Sequence, residues 1–137
     1  MGPNGHAARA ATADEVRILV GAPNTLDPAV QSDIGSAVYT AQLFESLTAF
    51  DAALILRPAL AESWDIADDG RRIVFHLRQG LKFSDGSELT AEDVVGSWLR
   101  VINPDRPSLL SSLFMDVRGA ADYLTGRTTS PDDVGLR

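Results

Sequence analysis

The chain has 137 residues, 45% hydrophobic and 23% charged, with a formal net charge of -7 and no cysteine. That size and balance suit one small folded domain or a piece of a larger one. The acidic excess argues against a nucleic-acid binder, which needs a basic face to displace counterions, and against docking on anionic lipid. The lack of cysteine excludes disulfides, zinc–thiolate centres and thiol catalysis.

The first stretch, "MGPNGHAARAATADE", is small and polar and lacks the apolar core of a signal peptide. It reads as a flexible leader over residues 1–14, and the chain as it stands is not expected to be secreted. No apolar run approaches the roughly 20 residues of a membrane span. "EVRILVG", residues 15–21, is a short β-branched run that stops at Gly21, the pattern of a buried strand. "APNTLDPAV" follows with its prolines and Asx/Thr cluster, a loop. "SAVYTAQLFESL", residues 36–47, has helical spacing, with Val38, Ala41, Leu43 or Phe44, and Leu47 recurring at three to four residues.

The clearest β signal lies in "ILRPALAESWDIADDGRRIVFHLR". Trp64 and Ile66 alternate with Asp65 and Ala67, and Ile73, Phe75 and Leu77 alternate with Val74, His76 and Arg78. Asp68, Asp69 and Gly70 stand between the runs, and Asp-Gly suits positive φ, so the segment predicts an antiparallel hairpin. "TAEDVVGSWLRVINP" predicts a helix with both ends marked. Thr90 is its N-cap, Asp93 makes a variant capping box, and Leu89 and Val94 occupy the two positions of a hydrophobic staple. Val94, Trp98 and Val101 or Ile102 share a face, and Pro104 ends the helix because the residue before proline resists helical geometry. Residues 108–126 predict two short helical turns, and "RTTSPDDVGLR" a loop leading toward another strand.

Residues 77–94 hold Asp85, Glu88, Glu92 and Asp93, which raises the question of a metal loop or an acid/base site. The spacing favours scaffolding. Ser84, Asp85, Gly86 and Ser87 form a turn signal with Gly86 suited to positive φ. Glu92 and Asp93 fall in the first turn of a helix, where carboxylates meet the positive end of its dipole. A calcium loop of the EF-hand kind fails on register: with Gly70 at the glycine position, Ala67 and His76 fall where oxygen ligands belong. His6 lies in the leader and His76 in a strand; no G-x-S-x-G elbow, H-E-x-x-H, P-loop or G-x-G-x-x-G is present. Trp64 and Trp98 read as core residues. No catalytic residue, metal ligand or cofactor is expected.

The order of motifs carries one more reading. "TLDPA", "LFESL", "RPALAESWDIADDGRRIVFHLRQGLKFSDGSELTAEDVVGSWLR", "GAADYLTGR" and "DDVGLR" resemble the family 5 solute-binding proteins, the extracytoplasmic receptors of oligopeptide and dipeptide ABC importers. The specific part comprises Trp64, Asp69, Gly70, Phe75, Leu77, Arg78, Gly80, Phe83, Asp85, Gly86, Thr90, Ala91, Asp93 and Val94. Weaker matches extend from Val16 to the end.

The resemblance implies an α+β chain, part of a two-lobed periplasmic-binding-protein type II fold, with a hairpin-rich antiparallel sheet flanked by helices. Family members are several times longer, so it implies an N-terminal portion: residues 15–47 begin lobe one, and 48–137 form most of a subdomain inserted in that lobe. The motif residues then support the fold, and Pro23, Asn24 and Thr25, in the loop after the first strand, are the expected ligand neighbours. The implied protein is a non-enzymatic binding component without cofactor. It captures a peptide, or another small solute such as nickel, haem or a sugar, outside the cytoplasmic membrane and delivers it to the permease subunits. It sits in the periplasm or extracellular space, attached to the membrane through a lipid anchor outside this chain. The alternative is the ligand-sensing domain of a transcription regulator.

Overall fold

A helix, two antiparallel hairpins and a helical C-terminal part make up the computed structural model, which describes residues 20–106 and 108–137. The expected leader and His6 lie outside those residues, as does the expected strand over 15–21 save for its last two positions, which carry no strand.

The first helix, α1 (Ile34–Leu43), starts at Asp33, whose Oδ1 accepts the Ser36 N–H at 2.8 Å. This cap satisfies one of the donors a helix leaves open at its first turn. The helix stops at Phe44, which is extended at φ -121° and ψ 139°, short of the expected end at Leu47. The recurring apolar residues do not form its buried face. The buried residues of α1 are Ser36 and Thr40, while Ile34 is 84% exposed and Val38, Ala41, Leu43 and Phe44 are open to solvent. The loop before the helix packs on the hydroxyl side, because hydroxyls can satisfy loop backbone that apolar side chains cannot.

Strands β1 (Thr48–Phe50) and β2 (Leu56–Pro58) pair antiparallel, a hairpin the sequence did not announce. Its loop is held by Asp51, whose Oδ1 accepts the N–H groups of Ala53 and Ile55 at 2.9 and 3.0 Å. Strands β3 (Ala61–Ala67) and β4 (Arg72–Leu77) form the expected hairpin, with Trp64 opposite Phe75 and Ile66 opposite Ile73. Asp68, Asp69 and Gly70 all take positive φ in the connecting turn. Trp64, Phe75 and Leu77 are half-buried, and the Ile66–Ile73 pair on the same face is exposed. On the other face the His76 ring lies 2.7 Å from Asp65 Oδ2.

Helix α2 (Ala91–Val101) begins at Thr90, as expected. Two 3-10 turns, Leu109–Phe114 and Pro131–Asp133, bracket the short helix α3 (Ala120–Leu124). The tail does not enter a strand. Instead it folds back: the Gly135 N–H donates to the Arg118 carbonyl at 2.8 Å, and Val134 is fully buried. Val134 joins Ile102 and Ala120 in the main buried cluster, against which Leu99, Phe114, Val117, Tyr123 and Leu136 pack. Trp98 is half-buried and meets Phe114 edge-on, with ring centroids 6.0 Å apart.

Candidate functional site

Among the described residues, the three buried polar ones, Ser36, Thr40 and Ser108, all hold one segment, the loop before α1. Ser36 Oγ accepts the Asn24 and Thr25 N–H groups at 3.1 and 3.2 Å and donates to Asp33 Oδ2 at 2.7 Å. The Thr40 hydroxyl donates to Gln31 Oε1, and the Ser108 hydroxyl to the Ala29 carbonyl. Within the loop, Thr25 Oγ1 accepts from the Asp27 N–H at 3.0 Å. The loop backbone is therefore held at residues 24, 25 and 29, and the Gln31 side chain by Thr40, from two different parts of the chain. Of the expected ligand neighbours, Pro23 and Thr25 are half-buried and Asn24 is exposed. Asn24 and Thr25 share the Ser36 anchor; the spacing of Ser36 and Thr40, one helical turn apart, was the signal available for it.

A charged tie completes the site. Arg100, in the last turn of α2, donates through Nη1 to Asp27 Oδ1 at 2.8 Å and through Nη2 to Asp27 Oδ2. Asp27 Oδ1 also accepts the Ala29 N–H at 3.0 Å. The Arg100 hydrogen bond holds the Asp27 carboxyl below its usual 3.8, partly offset by burial, and Asp27 raises Arg100 in turn. Asp33 is also lowered, first by the Ser36 N–H and then by the Ser36 hydroxyl. A carboxyl whose folded pKa is depressed stabilises the fold above its unfolded value, and that contribution is lost as pH falls through the folded value. Asp27→Asn is accordingly expected to lower the urea midpoint at pH 7 and to reduce the loss of stability on going to pH 3. Equal acid sensitivity in wild type and variant would refute a role for this tie.

The motif residues lie elsewhere, along β3, β4 and the turn into α2. Trp64 faces Phe75 across the ladder, and Leu77 faces Ala61. The Arg78 N–H donates to the Leu60 carbonyl at 3.0 Å and its Nε to the Ala59 carbonyl at 2.6 Å, which fastens β4 to the start of β3. Gly80 lies between Arg78 and the turn at Asp85, and Asp69 and Gly70 stand in the hairpin turn. The Phe83 N–H donates to the Ser87 carbonyl at 2.9 Å. Asp85 Oδ1 accepts both the hydroxyl and the N–H of Ser87, which hold its carboxyl below the usual range. Gly86, at φ 91°, makes the corner. Thr90 donates its N–H and its hydroxyl to Asp93 Oδ2 at 2.8 and 2.9 Å, so aspartate serves the box as glutamate would. Ala91 opens the helix, and Val94 is half-buried with Leu89. These residues make turns, ladders and caps, and none of them lies in the loop that holds Pro23, Asn24 and Thr25.

Among the described residues no group of three or more His, Asp or Glu side chains could hold a metal ion, and no helix is long and apolar enough to cross a membrane.

A family model described as bacterial extracellular solute-binding proteins, family 5, middle, matches residues 56–134. The chain belongs to that family. It is 45% identical over 107 residues to the probable deoxycholate-binding periplasmic protein YgiS of Escherichia coli, covering 77% of this chain and 20% of that protein. It is 31% identical over 116 residues to the periplasmic oligopeptide-binding protein OppA of Haemophilus influenzae, covering 83% and 21%. Among solved structures, a periplasmic oligopeptide-binding protein of Borrelia burgdorferi superposes with a TM-score of 0.78 at 33% identity, covering 86% of this chain and 24% of that one. Peptide-bound OppA of Listeria monocytogenes superposes with a TM-score of 0.80 at 28% identity, covering 87% and 23%. The fold is thus part of the two-lobed type II periplasmic-binding-protein architecture. The chain spans about a fifth of the length of the curated relatives it matches.

Proposed function

We propose that this chain is part of the substrate-binding component of an ABC importer, which captures peptides or a related small solute outside the cytoplasmic membrane and passes them to permease subunits. The observation that carries this reading is the superposition on a peptide-bound relative over most of the chain. In it residues 15–47 begin lobe one, 48–137 belong to the inserted subdomain, and Pro23, Asn24 and Thr25 border the ligand. The protein binds and releases its solute without chemistry. Membrane attachment would come through a lipid anchor. The comparisons lend no support to a transcription regulator. A second ligand class, a bile-acid-like carboxylate, is favoured by the 45% identity to a probable deoxycholate-binding protein.

A closing cleft gains affinity by burying its ligand between two lobes and shifting the open–closed equilibrium. The 137-residue chain alone is therefore expected to give no measurable heat with tri-alanine or deoxycholate in titration calorimetry. The native-length protein is expected to bind one of them. Micromolar binding by the chain alone would sink the two-lobe requirement, and silence of the native-length protein toward both probes would sink the ligand assignment.

A further inference from the structure

A second feature of the tied loop is a cleft of about 470 Å³ between residues 27–30 and the C-terminal end of α2, lined by Asp27, Ala29, Val30, Arg100, Asn103 and Arg106. Its charge runs against that of the chain: two guanidinium groups face one carboxylate, on a protein of net charge -7. That carboxylate is already engaged, since both its oxygens bond to Arg100. Of the two guanidinium groups that line the cleft, Arg100 is paired with Asp27, and Arg106 makes no ion pair with any described residue. Asn103 Oδ1 accepts the Asp105 N–H at 2.8 Å. That bond fixes the amide orientation, because only the oxygen can accept from an N–H, and leaves both side-chain N–H groups without a described partner. The cleft thus presents the Arg106 fork and the Asn103 amide as open donors beside the apolar wall of Ala29 and the half-exposed Val30.

We propose that this cleft binds a carboxylate carried on an apolar stem, with Arg106 as the charged donor and Asn103 as the second. A guanidinium fork matches the two oxygens of a carboxylate, and a neutral amide of the same shape cannot replace the ionic half of that bond. A cation is disfavoured, because Asp27 has no free oxygen pair to offer it. The alkyl stem would lie on Val30 and Ala29. The inference stands on the cleft, and does not need the receptor reading. The carboxylate could come from a free acid or from the C-terminus of a peptide.

Ligand-observed saturation-transfer NMR on the native-length protein tests it with four probes: hexanoate, hexanamide, Ala-Ala-Leu, and Ala-Ala-Leu with an amidated C-terminus. Hexanoate is expected to bind in the millimolar range and hexanamide not at all. Arg106→Ala is expected to weaken hexanoate about tenfold, as for loss of one charge-assisted pair. Arg106→Lys should keep part of the binding, and salt at about 300 mM should weaken it. Because Arg106 lies on the surface, its removal should leave the circular dichroism spectrum unchanged. If the free-acid tripeptide also depends on Arg106 and its amide does not bind there, the site accepts a peptide C-terminus. If only hexanoate depends on Arg106, the site takes a free acid. Equal binding of hexanoate and hexanamide, or hexanoate binding unaltered by Arg106→Ala, would overturn the proposal.

Discussion

Gly119→Ala is expected to cost the protein about 3 kcal/mol or more, the largest effect of a methyl added at any described glycine. Gly119 has φ 77°, where a side chain is strained whatever the space around it. Space is also lacking. A methyl there would come to 3.0 Å from the Asp133 carbonyl carbon and 3.3 Å from Val134 Cα, and closer still to the Asp133 carbonyl oxygen. These are backbone atoms, so no rotamer change relieves the clash. The C-terminal turn would have to move, and it carries Val134 into the cluster with Ile102 and Ala120. Gly96→Ala is the natural control. It lies inside α2 with nothing within 4 Å of the added methyl, and should raise stability by about 0.5–1 kcal/mol through helix propensity alone. Urea midpoints of the two variants should move in opposite directions. A Gly119→Ala protein as stable as wild type would mean that the 131–135 turn does not pack against Gly119.

The two glycines also mark what could be read from the residues and what could not. The β3–β4 hairpin and α2 were legible because each has local signals that agree: alternation on either side of Asp-Gly, and a capped start with apolar spacing ended by proline. The β1–β2 hairpin has neither. Its strands are three residues long, and the loop between them turns at Leu54, at φ 59°, where a glycine or asparagine would have been the signal. In α1 the helix was legible and its orientation was not. Apolar spacing predicts the buried side only when the neighbour is apolar, and here the neighbour is a loop whose Asn24 and Thr25 N–H groups bond to the Ser36 hydroxyl and whose Gln31 side chain bonds to Thr40. The same holds for the site. Asp27 and Arg100 are 73 positions apart, and Ser108 and Ala29 are 79 apart. Neither pairing has a local pattern, so only the resemblance pointed to Pro23, Asn24 and Thr25, and nothing pointed to Arg106.

The paired substitution Ile66→Thr and Ile73→Thr is expected to be nearly neutral in the 137-residue chain and to cost about 3 kcal/mol in the native-length protein. These isoleucines face each other across β3 and β4 and are 64% and 51% exposed. Threonine keeps the β-branched shape that a strand favours, so the hairpin itself should lose little. Only five hydrophobic residues among those described are buried, and Leu54 and Ile34 are 80% and 84% exposed. Apolar faces on this scale mark surfaces made to be covered, and the curated relatives are about five times as long as the matched region. In the chain alone the strip should bind the dye ANS and, with the short exposed strands beside it, drive concentration-dependent association. The double substitution should weaken both, read by ANS fluorescence and sedimentation velocity, while leaving the urea midpoint almost unchanged. In the native-length protein the same change should leave ANS binding low and shift the midpoint strongly, because there the two isoleucines would be removed from a packed interface. A small and equal shift in both contexts would mean that the strip faces solvent in the whole protein as well. Burial of the β3–β4 face would then have no part in joining this region to the rest of the fold.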